Sequence, residues 1–375
     1  MNVLVLEPFY GGSHKSFLDG WVAHSRHQFQ ILSLPAYKWK WRMRHASLTF
    51  ARQLEAPDFQ IQAWDAIWCS DMLNLPEFLG LASTALHDIP RVIYFHENQL
   101  TYPVRQQEQR DLHFAYTNFL SAIAADRIWF NSKFHQEEFF TALQLYLPRF
   151  PDYTSIEEIA VLRSKSEVRD PGIEIPNQPA RRLPGPLRIC WNARWEHDKN
   201  PEDFFAALQQ LRQQNVEFRL IVLGESFRSS PPRFASARGE FSANIEHWGF
   251  VESRTAYHRW LAFADVVVST AHHEFFGIGV VEAIAAGCIP ILPKRLAYPE
   301  VWNEVAGDQQ VIPYDRIFYD GTAGDLCERL LHFAQIVDGE GTQALMKTLQ
   351  QKARKFAWKS HAAQLDDALE TASTR

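Results

Sequence analysis

Cysteine is scarce: Cys69, Cys190, Cys288 and Cys327 are the four in 375 residues, and they stand far apart. That spacing excludes a disulfide framework and a zinc ribbon, and the apolar neighbours of three of them fit small buried thiols. No Asp-x-Asp pair occurs, and the His272-His273-Glu274 run has no second cluster at metal-ligand spacing, so no metal site is expected. A membrane span is also missing. The longest apolar stretch, Phe276 to Pro293, holds Glu282, three glycines and two prolines, which a bilayer core does not tolerate. No Asn-x-Ser/Thr acceptor is present, and the start Val3-Leu4-Val5-Leu6 is broken at once by Glu7 and Pro8. It has neither the basic head nor the apolar length of a signal peptide. A cytoplasmic chain without membrane contact is the expectation.

What is present fits an enzyme of more than one domain. At about 150 residues per domain the length implies two or three, each with its own core. Hydrophobic residues make up 46% and charged residues 22%, which excludes a mostly disordered protein. The net charge of -6 excludes a protein that coats nucleic acid along its whole surface, while leaving room for a local basic patch. Twelve Trp and 27 Phe suit thick cores and stacking sites alike.

Short β-rich runs at Val3 to Leu6, Phe29 to Leu34, Ala66 to Cys69, Arg91 to Phe95 and Arg127 to Phe130 alternate with segments of helical spacing. The rhythm restarts at Leu187 to Trp191, Phe218 to Leu223, Ile245 to Trp248, Asp265 to Ser269 and Ile289 to Leu292. Two doubly wound α/β domains are expected, 1-170 and 187-355, joined by the Pro- and Gly-rich linker 171-186. The C-terminal segment 356-375 is expected to be a helix packing back on the first domain. Such domains bind ligands outside the carboxyl ends of their strands, in a cleft that the tandem arrangement would form.

The sharpest motif is His272-His273-Glu274-Phe275-Phe276-Gly277-Ile278-Gly279-Val280-Val281-Glu282, read as strand, loop and helix. Gly277 and Gly279 let backbone N–H groups approach a ligand at a helix start, where an anion or a hydroxyl-rich group is favoured. Glu274 and Glu282 lie about two turns apart, placed to grip different parts of one long ligand. An ordinary tight turn with a solvated Glu282 fits the bare spacing equally well. A second motif, Asn192-Ala193-Arg194-Trp195-Glu196-His197-Asp198-Lys199-Asn200-Pro201, follows the first strand of the second half. Arg194 and Lys199 there can offer a forked cation and a point cation to one diphosphate, although two cations at that spacing are also common on surfaces.

At this point the second half resembles the retaining nucleotide-sugar glycosyltransferases of the two-domain GT-B type. Glu274 and Glu282 match their glutamate pair, and Arg194 and Lys199 match their diphosphate cations; Asn192 and Asn200 stand where that family usually has glycine. A closer likeness runs through Glu7-Pro8-Phe9-Tyr10-Gly11-Gly12-Ser13-His14-Lys15, the segment from Leu34 to Arg44, Tyr94-Phe95-His96-Glu97-Asn98-Gln99-Leu100-Thr101-Tyr102-Pro103, and Arg194 to Lys199. Together these resemble the tRNA-queuosine α-mannosyltransferase family. The resemblance implies a metal-independent retaining transfer of a hexose, with GDP-mannose as co-substrate and no cofactor. The partners it implies are the nucleotide sugar and a tRNA carrying queuosine. It further implies donor contacts from Phe276, Gly277, Ile278 and Gly279, ribose contacts from Glu282, and a base-binding loop at Gly249 and Phe250. Catalytic roles fall to His96, Glu274, Arg194 and Lys199.

The residues of the first half support an acceptor of nucleic acid independently. From Gly20 to Leu54 no acidic residue occurs, while Arg26, Lys38, Lys40, Arg42, Arg44 and Arg52 do. In an extended backbone, Lys38, Lys40, Arg42 and Arg44 would line one face, with Trp39, Trp41 and Met43 on the other. Such a ribbon can hold phosphates and stack a base; a solvated loop with its Trp residues plugged into the domain is the alternative. Gly11 and Gly12 open a helix where an acceptor or a diphosphate can approach, unless they are a plain βα turn. His14, His96, Glu97 and Asn98 complete the candidate acceptor set at strand ends. The rival acceptors are a small metabolite and an envelope lipid, the latter favoured by an exposed apolar helix with basic flanks. The rival outside enzymes is an RNA-binding protein on a transferase scaffold.

Overall fold

The structure is a computed structural model that describes all residues except 58, 60–62, 104–110, 228–229, 308–310 and 374–375. It divides into two compact units, Met1–Gly172 with Trp358–Arg375, and Ile173–Ala357. The first unit is built on six parallel strands: β1 (Asn2–Tyr10), β2 (Gln28–Pro35), β3 (Ala66–Ser70), β4 (Arg91–Phe95), β5 (Arg127–Phe130) and β6 (Ser166–Val168), in the order β2-β1-β3-β4-β5-β6. The inner strands β1, β3, β4 and β5 are nearly unbroken apolar runs because both faces of a parallel sheet are covered. Val3, Val5, Trp68, Tyr94 and Trp129 face one side with Phe17 and Trp21 of the helix Gly12–His24; Leu4, Leu6, Ile67, Ile93 and Phe130 face the other. The C-terminal helix Trp358–Ser373 belongs to this unit. Trp358 packs so tightly that a Cβ on Gly20 or Gly172 would lie within 2.5 Å of its ring, and Asp366 accepts the indole N–H of Trp21 at 2.8 Å.

The second unit also has six parallel strands: β7 (Leu187–Asn192), β8 (Phe218–Leu223), β9 (Ile245–Gly249), β10 (Val266–Val268), β11 (Ile289–Pro293) and β12 (Phe318–Tyr319), ordered β12-β11-β10-β7-β8-β9. The proline-rich segment before β7 lies along this unit. Gln350 accepts from the Ala180 backbone N–H at 3.0 Å and Gln343 donates to the Ala180 carbonyl at 2.8 Å. Strand order reverses between β1 and β3 in the first sheet and between β7 and β10 in the second. At such reversals adjacent loops leave in opposite directions and open a crevice at the carboxyl edge. β6 and β12 have no counterpart in the sequence reading: three and two residues long at sheet edges, they are too short to show a period.

Candidate functional site

In the second unit, the loops after β7 and β10 meet at the reversal. The His272 backbone N–H donates to the Asp198 carbonyl at 2.7 Å, and Thr270 donates to the carbonyls of Lys199 and Asn200 at 2.8 Å each. This docking buries Lys199, whose Nζ donates to the His273 carbonyl at 2.7 Å and pairs with Asp198 at 3.0 Å and Glu274 at 3.3 Å. Burial opposes its charge, yet Glu274 and Asp198 outweigh burial and raise its pKa. Arg194 is half exposed and pairs with Glu196 at 3.2 Å. Burial and the Lys199 charge push His273 down to about 4, so it is neutral at physiological pH.

The helix Ile278–Ala285 starts at Gly277, whose φ of 89° is left-handed, a conformation that disfavours any residue with a Cβ. At Gly279 a Cβ would lie 2.8 Å from the Asn192 carbonyl oxygen, so the two loops approach backbone to backbone. Glu282 is not the solvated helix residue that the bare spacing allows: it is 5% exposed. Its Oε2 accepts from the Tyr257 hydroxyl at 2.6 Å and its Oε1 pairs with Arg254. Phe276 is buried and turned toward Phe356, with ring centroids 6.0 Å apart, while Ile278 is half-buried. After β9, Gly249 has φ 124° and the Phe250 ring is 61% exposed. Lys199, Glu274, Gly277 and Gly279 line one recess.

At the reversal of the first sheet, Glu7 of β1 accepts from the Phe9 N–H at 2.8 Å and the Ser70 hydroxyl at 3.0 Å, and pairs with His14 at 3.2 Å. Burial opposes a charge on His14, but Glu7, backed by Asp71 and Glu97, outweighs it and raises the imidazole to about 9. The ring of His96 lies 4.0 Å from that of His14, and burial together with that cation holds His96 well below the ordinary value. Asp71, just beyond β3, accepts the His96 backbone N–H at 2.9 Å; burial raises its pKa well above the carboxylate range. Among the described residues, Asp71 Oδ2 and His96 Nε2 are buried without a hydrogen-bond partner. Glu97 accepts from Gln99 at 3.1 Å. Asn98 turns inward and accepts from the Leu100 and Thr101 N–H groups at 3.0 Å each. Gly12 is left-handed with open space beside it, whereas Gly11 is small because Ala36 approaches to 2.4 Å of where its Cβ would be.

The fold brings Glu7, His14 and His96 together with ligand atoms within 4.8 Å of one another, a cluster that chain spacing does not reveal. The two rings are tilted at 33°, and the raised His14 and lowered His96 make the pair an imidazolium against an imidazole. Glu7, Asp71, Arg254 and Tyr257 escaped the sequence reading as site residues. The strand-end logic applied to His96 would have found Asp71, which follows β3 directly.

The extended ribbon is corrected. Trp39–Leu54 is a helix, because Met43, Ala46, Ser47, Phe50, Ala51 and Leu54 recur at helical spacing and bury one stripe against the sheet. Cations and aromatics therefore share the outer face. Trp41 is 60% exposed and Lys38, Lys40 and Arg44 are exposed. Trp39 is half-buried against Phe114, and the Arg44 guanidinium lies 4.7 Å over the same ring. Arg42 folds back to the Pro35 carbonyl at 2.9 Å and to His45.

Comparison with known proteins places both units. Residues 2–173 match the family model described as tRNA-queuosine alpha-mannosyltransferase N-terminal, and residues 178–308 match glycosyl transferases group 1. The chain is 36% identical over 313 residues to tRNA-queuosine alpha-mannosyltransferase of Drosophila melanogaster, covering 80% of this chain and 81% of that one. It is 24% identical over 168 residues to the GDP-mannose-dependent alpha-(1-6)-phosphatidylinositol dimannoside mannosyltransferase of Mycobacterium tuberculosis, covering 45% and 40% of the two chains. The structure of sucrose-phosphate synthase from Thermosynechococcus elongatus superposes with a TM-score of 0.68 at 15% identity, covering 99% and 98%. The fold is α/β of GT-B architecture. Among the described residues no helix is long and apolar enough to cross a membrane.

Proposed function

The chain belongs to the tRNA-queuosine alpha-mannosyltransferase family, and from that premise we infer that this glycosyltransferase moves mannose from GDP-mannose to queuosine in a tRNA anticodon, with retention at the sugar. The observation that carries the donor half is the docking of Lys199 against Glu274 at the head of the Gly277 helix, with Glu282 in the second turn of that helix. Arg194 and Lys199 take the diphosphate, joined by the helix N-terminus; these three offset the charge that develops as the sugar leaves. Glu282 accepts ribose hydroxyls, Gly249 and Phe250 bound the base, and Glu274 faces the sugar. Their places on one sheet edge support this division of roles.

The acceptor half rests on the first unit. Gly12, His14, His96 and Glu97 surround the hydroxyl that attacks, and the cations on the helix Trp39–Leu54 hold phosphates. In the transfer the bond from the anomeric carbon to the diphosphate oxygen breaks, the bond to the acceptor oxygen forms on the same face, and the acceptor proton passes to the departing phosphate oxygen. The deciding experiment is incubation with bulk tRNA and a panel of sugar nucleotides, followed by nucleoside mass spectrometry. Queuosine heavier by one hexose, with GDP-mannose alone, is expected. Unmodified queuosine with every donor removes the reading.

One observation favours a second acceptor. Trp41 and Leu48 are exposed on a helix with basic flanks, a pattern that also suits a lipid surface. Transfer to a lipid extract and none to tRNA would select it.

A further inference from the structure

We propose that Asn192, Tyr257 and Arg254 are positioning residues that fix the Glu282 carboxylate and tie it to the diphosphate loop. The proposal rests on the reading of Glu282 as the ribose acceptor. A carboxylate buried to this degree is costly unless its oxygens are paired. Tyr257 and Arg254 lie three residues apart on the helix Arg254–Phe263, so both reach the same neighbour. Tyr257 holds Oε2 at 2.6 Å and Arg254 holds Oε1. Each carboxylate oxygen keeps a second acceptor direction, so the grip turns the remaining lone pairs toward two neighbouring hydroxyls.

Asn192 sets the direction of that grip. Its Nδ2 donates to the Gly279 carbonyl at 2.7 Å and to the Tyr257 hydroxyl at 2.8 Å. The carbonyl can only accept, which settles that the amide nitrogen faces this side. Tyr257 then accepts from Asn192, and its own proton is left to point at Glu282. Asn192 ends β7 two residues before Arg194, so one hydrogen-bonded path runs from the diphosphate loop through Tyr257 to Glu282.

The test is calorimetry of the full chain with GDP and with inorganic diphosphate, alongside donor kinetics and thermal melting. The variants are Tyr257→Phe, Asn192→Ala, Glu282→Gln and the two doubles carrying Glu282→Gln; Asn192→Ser replaces Asn192→Ala if the latter does not melt cooperatively. Each single change at 192 or 257 is expected to weaken GDP binding and raise the donor KM about tenfold, with kcat within about twofold. In the Glu282→Gln background the same changes should cost less than about twofold more. Inorganic diphosphate, which lacks ribose, should bind Tyr257→Phe as it binds the unmodified chain. Wild-type GDP affinity in both single variants overturns the proposal, as does a tenfold loss that persists without Glu282 or extends to inorganic diphosphate. Wild-type GDP affinity in Glu282→Gln overturns the ribose reading and this proposal together, which separates the two failures.

Discussion

At the reversal of the first sheet the fold gathers Glu7, Asp71 and Glu97 around two imidazoles; at the reversal of the second it gathers Lys199 and Arg194 with Asp198 and Glu274. The same topological position thus carries opposite electrostatics. In the second unit a buried cation keeps its charge because two carboxylates hold it, and it stands ready for an anion at a helix start. In the first, a buried imidazole keeps its charge because Glu7 answers it, and the groups left over, Asp71 Oδ2 and His96 Nε2, suit hydroxyls. The sheet supplies the crevice, and a handful of side chains at its edge decide what enters.

The strongest way to break this contrast is to remove the buried cation. Lys199→Ala removes the buried cation that pairs with both Asp198 and Glu274, a loss on the order of 3 kcal/mol or more. Turnover with GDP-mannose should fall at least about 100-fold, whereas Arg194→Ala, at a half-exposed position, should cost about 1.5 kcal/mol in donor affinity. Equal effects in calorimetry and kinetics would show that burial does not set the difference.

A subtler separation lies within the second unit. If Glu274 faces the sugar as proposed, Glu274→Gln should lower kcat roughly tenfold or more while leaving GDP affinity within about threefold. Glu282→Gln should do the reverse. Matching losses in both parameters for both variants would erase the division between sugar and ribose.

On the first unit, replacing Lys38, Lys40, Arg42 and Arg44 with Ser should weaken tRNA binding and flatten its salt dependence, by up to about 0.9 in logarithmic slope for each phosphate that is no longer neutralised. Because Arg42 bonds within the protein, three of these cations and not four are expected to count. GDP binding should stay as it is. An unchanged salt slope in the folded variant would move the tRNA-binding surface elsewhere.

A further effect concerns pH, and it runs in opposite directions in the two units. His14 has its folded pKa raised to about 9, so its stabilisation is present below its ordinary value of 6.5 and lost as pH rises through 9. His273 is depressed to about 4, so its contribution is present above 6.5 and lost as pH falls through 4. Melting temperature should decline at both ends. Glu7→Gln should reduce the alkaline decline alone, and His273→Gln the acid decline alone; a variant that alters both arms would show that the clusters are not independent.

The inner strands of both sheets were legible because a parallel strand buried on two faces leaves an apolar run that loops do not imitate. Lys199, Glu274 and Gly277 were legible for a related reason: each lies in the loop that follows such a run, so knowing the strand places the residue at the edge. Glu282 was legible as a position and not as an environment, since only packing against the helix Arg254–Phe263 tells a buried carboxylate from a solvated one. Tyr257 and Arg254 meet it across more than 20 residues of chain, a distance over which periodicity says nothing. The segment from Lys38 to Arg44 misled because seven residues of alternating charge and aromatic character fit a strand. The helical stripe that overrides them, from Met43 to Leu54, begins where that window closes.

The helix Trp358–Ser373 gives the first unit a particular history. Trp21 waits 345 positions for the carboxylate that receives its indole N–H, and the ring of Trp358 fills space left by Gly20 and Gly172. During synthesis the residues up to Gly172 leave the ribosome before those of the second unit, yet their core stays open until the helix Trp358–Ser373 emerges. The second unit, contiguous from Ile173 to Ala357, has everything it needs earlier. The order of completion is therefore the reverse of the order of translation, and until that helix arrives the core around Trp21, Trp68 and Trp129 lacks one of its walls.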